Sequence, residues 1–209
     1  MTPSSHASAD KYDVRCRALA RRDRLSARDR YIMSRRICER LLKLPEVLAA
    51  SSIICFVSFR TEVETAPILR WALRRALLTA VPLVTGARRL EAVAITDLQR
   101  DLAPGFCGIP EPVCGTPLDP ASLDIAVVPG AAFDFQGRRV GYGGGFFDAF
   151  LTRLRPDAAR IAVAFETQLV HRVAADGHDL PVDAVVTERR VVRVRAARAA
   201  PPPARPPSA

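Results

Sequence analysis

The densest concentration of residues able to do chemistry lies between Val128 and Asp148, VPGAAFDFQGRRVGYGGGFFD. A run of β-formers ends at Pro129-Gly130, and a glycine-dense stretch then leads into a helical pattern from Phe146. Gly141, Gly143, Gly144 and Gly145 remove side chains, so backbone N–H groups are able to approach an anion closely at the start of a helix. Arg138 and Arg139 add positive charge just ahead of the loop, and Asp148 follows at a spacing suited to a phosphate-bound magnesium ion. The combination points to phosphate chemistry. Glycine content alone serves a plain flexible turn equally well, and the standard nucleotide signatures do not fit. The chain has no G-x-x-x-x-G-K-[ST], and Gly141-x-Gly143-x-x-Phe146 misses the third glycine of a dinucleotide fingerprint and follows a loop, not a strand.

The elements that must position this loop read as alternating strands and helices. Asp10 is placed to cap a first helix in which Tyr12, Cys16 and Leu19 form an apolar stripe, with Lys11 and Arg15 together on another face. Ser26 and Asp29 resemble a capping box for a second helix, carried by Met33, Ile37, Leu41 and Leu44 as far as Pro45. Residues 52–57 form a buried-strand run, and Thr65 with Pro67 reads as N-cap and N1 proline of a helix through Leu78. Residues 80–84, 90–95, 123–128, 160–165 and 183–187 are further strands, and a helix over 146–154 separates two of them. Pro82 places its strand at an edge or a bulge. Most of these runs are continuously apolar, so the expected fold class is α/β: a mainly parallel open sheet with helices on both faces, a Rossmann-like single domain. In such sheets ligands bind outside the carboxyl ends of the strands, where the glycine loop falls.

Composition bounds the function. The 209 residues, 49% hydrophobic and 25% charged, suffice for one core and are too few for two ordinary domains. Residues 1–9 and 196–209 are expected to be disordered, leaving one folded domain over 10–195. No stretch approaches the roughly 20 apolar residues of a membrane span, and the first 30 residues lack the core of a secretory signal, so a soluble, cytoplasmic protein is expected. The five cysteines are odd in number and widely spaced, which argues for reduced thiols over a disulfide framework or a zinc ribbon. The net charge of +9 is local: residues 10–43 carry +7 and residues 188–209 carry +5, leaving −3 on the remaining body. A basic helical segment and a basic tail flanking such a body suit local anion binding more than a nucleic-acid track. With 6% aromatic residues the chain also lacks a stacking motif for bases.

The central segment, P-G-x-x-F-D-x-x-G-x-R-x-G-x-G-G-G-F-F-D, is followed by Gln168-Leu169-Val170, His178-Asp179, Pro181-Val182-Asp183 and Val186-Thr187-Glu188. It is preceded by Lys11-x-x-x-Arg15, Phe59-Arg60-x-Glu62-Val63-x-Thr65-x-Pro67 and Gly108-Ile109-x-Glu111-Pro112. In this order the pieces resemble the 5-formyltetrahydrofolate cyclo-ligase, or methenyltetrahydrofolate synthetase, family from residue 11 to about 190. The resemblance implies an ATP- and Mg2+-dependent conversion of 5-formyltetrahydrofolate to 5,10-methenyltetrahydrofolate, with release of ADP and phosphate, and makes 10–195 a catalytic domain. It implies that Lys11, Arg15 and Arg139 meet ATP phosphates, Lys11 and Arg139 with catalytic roles. The loop Gly141, Tyr142, Gly143, Gly144, Gly145, Phe146 and Phe147 would wrap the nucleotide. Asp148 and Asp179 would hold magnesium, and Glu62 and Val57 would meet the folate. Folate and ATP are then the partners, with neither nucleic acid nor membrane, and the chain is expected to act as a monomer.

Departures from the family pattern fall inside the site. Phe147 stands where tyrosine is usual, Tyr142 and Gly144 replace basic residues of some members, Pro110 interrupts the Glu111 motif, and Val14 replaces a leucine. Each residue also has a plain structural reading: Lys11 and Arg15 as solvated charges, Asp148 as a helix-start carboxylate, Asp179 and His178 as turn residues, Glu62 as a loop carboxylate. Other classes stay open beside the enzyme: a basic nucleic-acid module, a kinase or ligase for another small molecule, and a homologue that binds without turnover.

Overall fold

The apolar runs form the centre of the molecule. A computed structural model describes residues 5–174 and 180–194. Its strands are β1 (Ser52–Cys55), β2 (Leu78–Gly86), β3 (Arg89–Ala94), β4 (Leu102–Pro104), β5 (Pro110–Pro112), β6 (Pro117–Leu118), β7 (Ile125–Val128), β8 (Ala132–Phe133), β9 (Arg139–Val140), β10 (Ala159–Val163), β11 (Ala184–Val186) and β12 (Val191–Arg193). The helices are α1 (Ser5–Asp23), α2 (Ala27–Leu41), α3 (Pro45–Leu48), α4 (Ala66–Arg74) and α5 (Phe146–Leu151). Eight strands pair in the order β12-β11-β10-β7-β1-β2-β3-β6. The five central ones, β11 to β2, are parallel, and β12, β3 and β6 close the edges antiparallel. β1, β7 and β11 are buried at every residue, which is why they read as unbroken apolar runs.

Alternate side chains supply two cores. Ile53, Cys55, Ile125, Val127, Ile161 and Val163 pack on one face against Ile37 and Leu41 of α2, Val47 of α3, and Ile68 and Leu69 of α4. Ile54, Ala126, Val128, Ala162 and Val185 pack on the other against Phe133, Phe150 and Leu151. Each fully buried aliphatic side chain contributes about 1.5–3 kcal/mol, so these layers hold the sheet between its helices.

Several local readings need correction. α1 starts at Ser5, ahead of the Asp10 cap and inside the segment read as disordered, while residues 1–4 and 195–209 lie outside the described residues. Its inward face is not the Tyr12 stripe: Tyr12 is 62% exposed and Cys16 is exposed, whereas Ala18 is fully buried and packs with Val14 on Ala132, Val140 and Val173. The reason is that α1 turns its Lys11–Arg15 face inward, and small apolar residues between the cations make the contact. Ser26 does cap α2 through a 3.0 Å bond from Asp29 N–H. Thr65 stands at the start of α4 without capping it: its hydroxyl donates to the Phe56 carbonyl at 2.7 Å and accepts from Ser58 N–H at 3.1 Å, tying the loop after β1 to the helix. α4 ends at Arg74 and α5 at Leu151, both short of their predicted ends. Pro82 lies in β2, an inner strand, but beyond the last β1 pair, Ile54 with Ala80, so its missing N–H costs the β1 ladder nothing.

The parallel strands run β2-β1-β7-β10-β11, so the winding reverses between β1 and β7. The carboxyl ends of these two strands lead into residues 56–62 and 129–148. That reversal opens a crevice at the top of the sheet, and it brings the two motif-bearing loops to the same place.

Candidate active site

Asp134 builds the approach to the glycine loop. Its carboxylate is fully buried and accepts backbone N–H bonds from Gln136 and Arg138 at 2.9 Å and from Val173 at 3.0 Å. The turn it organises joins β8 to β9 and delivers Arg139 inward, with a side chain 3% exposed. Gln168 braces the preceding segment, donating to the Gly130 and Ala131 carbonyls at 2.9 and 3.1 Å. Glu188 accepts from Glu166 N–H at 2.9 Å and fixes the turn that carries Gln168. Much of the long motif therefore shapes the backbone and does not face the cleft.

Beyond β9, the glycine loop, α1 and the turn between β2 and β3 enclose a cleft of about 400 Å³. Its charged lining is Lys11, Arg15, Arg88, Arg139 and Asp148, with Gly141, Gly143 and Gly145 beside them. Arg15 Nε donates to the Gly141 carbonyl at 2.8 Å, which pins the loop to α1. Gly143 and Gly145 have φ of +106° and +68°, left-handed conformations that glycine takes without a Cβ penalty. Arg139 Nη2 donates to Asp148 Oδ1 at 2.6 Å, a charge-assisted bond that leaves the Asp148 side chain 38% exposed. α5 is only six residues long, so the positive charge of the cleft comes from side-chain cations and not from a helix terminus.

A second cluster sits at the β1 end of the crevice. Glu62 Oε2 accepts from Phe59 N–H at 3.0 Å, and Glu62 Oε1 accepts from the Tyr142 hydroxyl at 2.5 Å. Arg22 of α1, 6% exposed, donates from Nη1 to the Tyr142 hydroxyl at 2.6 Å and from Nε to Thr61 Oγ1 at 3.0 Å. Burial pushes the Glu62 carboxyl above the usual glutamate range, opposed by the Tyr142 and Phe59 hydrogen bonds and the Arg22 charge. The Tyr142 ring is half exposed, but its hydroxyl is held between Arg22 and Glu62; burial and the Glu62 charge raise its pKa, so it stays protonated and donates. On the same side, Glu111 accepts from Val84 N–H at 3.1 Å and Phe106 N–H at 3.0 Å, and Phe106 meets Phe146 edge-on with centroids 5.9 Å apart.

Of the residues expected to serve the site, Lys11, Arg15, Arg139, Gly141, Gly143, Gly145 and Asp148 line one cleft. Tyr142, Gly144, Phe146 and Phe147 do not line it: Tyr142 faces Glu62, Phe146 faces Phe106, and Phe147 packs against both core layers. Val57 packs against the α2–α4 core and belongs to the β1 loop. Asp179 and His178 lie outside the described residues. Among the described residues no three His, Cys, Asp or Glu side chains gather as a metal cluster. Asp148, 38% exposed at the cleft, is the described carboxylate open to magnesium, a hard cation that takes one or two carboxylates and fills its shell with phosphate oxygens and water.

A model of the 5-formyltetrahydrofolate cyclo-ligase family matches residues 7–188. The chain belongs to that family. The cyclo-ligase of Escherichia coli (strain K12) is 27% identical over 175 residues, covering 82% of this chain and 96% of that protein. The cyclo-ligase of Mus musculus is 26% identical over 181 residues, covering 78% and 86%. The NMR structure of the Aquifex aeolicus 5,10-methenyltetrahydrofolate synthetase superposes with a TM-score of 0.80 at 30% identity, over 92% of this chain and 97% of that one. A Mycoplasma pneumoniae synthetase shares the fold, with a TM-score of 0.71 at 18% identity. Membership in the cyclo-ligase family makes the chain an enzyme of the ligase class. No helix among the described residues is long and apolar enough to cross a membrane.

Two residues of this family member escaped the sequence reading. Arg22 and Arg88 each stand in an Arg-Arg pair within a charged run, and nothing in spacing tells the inward arginine from its neighbour. Only the register of α1 and the turn after β2 make that choice.

Proposed function

We propose that the chain uses MgATP to convert 5-formyltetrahydrofolate to 5,10-methenyltetrahydrofolate, with ADP and phosphate as the other products. One juxtaposition carries the reading: a cleft with four cations and one carboxylate stands beside a held glutamate, in a chain of the cyclo-ligase family. In this reading the triphosphate lies between Lys11, Arg15 and Arg139 and the glycine loop. Asp148, with Asp179 as a second carboxylate, would hold magnesium, which neutralises phosphate charge when bound. The folate occupies the β1 side, where Glu62 accepts N–H donors of the reduced pterin and Val57 contributes apolar surface.

The chemistry asks the protein for positioning and charge more than for a nucleophile. The formyl oxygen attacks the γ-phosphorus and the bond to the β-bridging oxygen breaks, releasing ADP. N10 then bonds to the activated carbon and loses its proton, and the carbon–oxygen bond breaks with phosphate as leaving group. An amide-like oxygen leaves poorly at neutral pH, and phosphorylation removes that barrier. Lys11, Arg15 and Arg139 oppose the charge that develops on the transferring group, and the two flanking loops hold both substrates in reach.

ADP release measured with purified protein tests this. It is expected only when 5-formyltetrahydrofolate, ATP and magnesium are all present. Asp148→Asn should lower turnover on the order of tenfold or more and raise the magnesium requirement, with an unchanged circular dichroism spectrum. ADP release that ignores the folate would refute the reaction, and wild-type magnesium dependence in Asp148→Asn would refute the metal assignment.

A further inference from the structure

We propose that Arg88, in the turn between β2 and β3, is a fourth phosphate-binding cation of the cleft; this rests on the nucleotide reading above. Arg88 lines the cleft opposite α1, and its Nε, Cδ and Cζ lie 3.6, 3.8 and 4.0 Å from where a Cβ on Gly145 would stand. The guanidinium thus lies along the glycine loop at its junction with α5. Its backbone is in the left-handed region, φ 57°, a conformation that is unfavourable for a non-glycine residue. The neighbouring Arg89 behaves as an ordinary surface residue, 3.1 Å from Glu91.

Charge decides what this arginine does. Among the described residues Arg88 has no ion-pair partner, whereas the other turn arginine has one. Lys11, Arg15, Arg88 and Arg139 against Asp148 leave the cleft with a net excess of positive charge in about 400 Å³. Like charges gathered in one cleft repel each other even in water, so the cluster favours a polyanion and gains with each phosphate it meets. Gly144 offers no side chain to the loop, and Tyr142 is turned to Glu62, so the loop itself contributes no cation between Arg139 and α5. Arg88 supplies that charge from another part of the chain.

Calorimetric titration of ATP, ADP and AMP into wild type, Arg88→Ala, Arg88→Lys and Arg89→Ala tests the assignment. Arg88→Ala should weaken ATP binding about tenfold and AMP binding less than about twofold, with a shallower dependence on salt. Arg88→Lys should recover part of the loss, and Arg89→Ala should bind as wild type. The unfolding midpoint of Arg88→Ala should stay within about 2 °C of wild type, because the side chain is exposed. Wild-type ATP affinity in Arg88→Ala, or an equal loss for AMP and ATP, would overturn the proposal while leaving the nucleotide site standing. Failure of the wild type itself to bind ATP would overturn the nucleotide reading beneath it.

Discussion

Glu62 and Tyr142 come from loops 80 residues apart and meet through a 2.5 Å hydrogen bond. One belongs to the proposed folate side and the other to the glycine loop, so this bond joins the two halves of the site. Because burial raises the Glu62 pKa, the carboxylate that would accept pterin N–H groups is lost at a higher pH than an ordinary glutamate. The KM for the folate should therefore rise as pH falls through a midpoint above the usual glutamate range. The Tyr142 hydroxyl favours the ionised form, so Tyr142→Phe should move that midpoint further up, as read from the pH profile of the folate KM. An unmoved or lowered midpoint would contradict the assignment. The same shift acts on stability: the Glu62 contribution is full below the ordinary glutamate pKa and is lost as pH rises through the raised one. At this scale the sequence was legible only where a motif marked a residue. Asp148 and Glu62 stand out by their neighbours, but Arg22 shares a run with Arg21 and Arg24, and one-residue differences in facing decide which is buried.

The element that places Arg139 in the cleft is the β8–β9 turn. Asp134 holds it with three backbone N–H bonds from full burial. Removing a buried carboxylate leaves those donors unsatisfied at about 1–3 kcal/mol each, partly relieved by relaxation. Asp134→Ala should therefore lose about 2–4 kcal/mol of stability in urea denaturation and also raise the KM for ATP. A loss below about 0.5 kcal/mol would contradict this role. The central strands were legible because burial on both faces leaves an unbroken apolar signature. β4, β5, β6, β8 and β9 were not, because strands of two or three residues are made by pairing and carry no period. The apolar stripe of α1 misled for a related reason: the helix buries the face bearing its cations, and tertiary contacts with β8 and β9 override its hydrophobic pattern.

In the whole molecule, the reversal of winding between β1 and β7 explains why residues spread from Lys11 to Asp148 serve one place. It opens the crevice, α1 crosses to the glycine loop through Arg15 and to the Glu62 loop through Arg22, and the β2–β3 turn adds Arg88. The parallel α/β class followed from the alternation of strands and helices, and family membership added the reaction class. The joining of the glycine loop and the Glu62 loop needed the three-dimensional arrangement. We propose that this crevice closes a folate ring at the expense of ATP. Absorbance of the purified protein with 5-formyltetrahydrofolate tests it most directly, following the methenyl chromophore with ATP or magnesium omitted in turn. A signal that requires both is expected. No signal in the complete mixture, with the active stereoisomer of the folate verified, would contradict it.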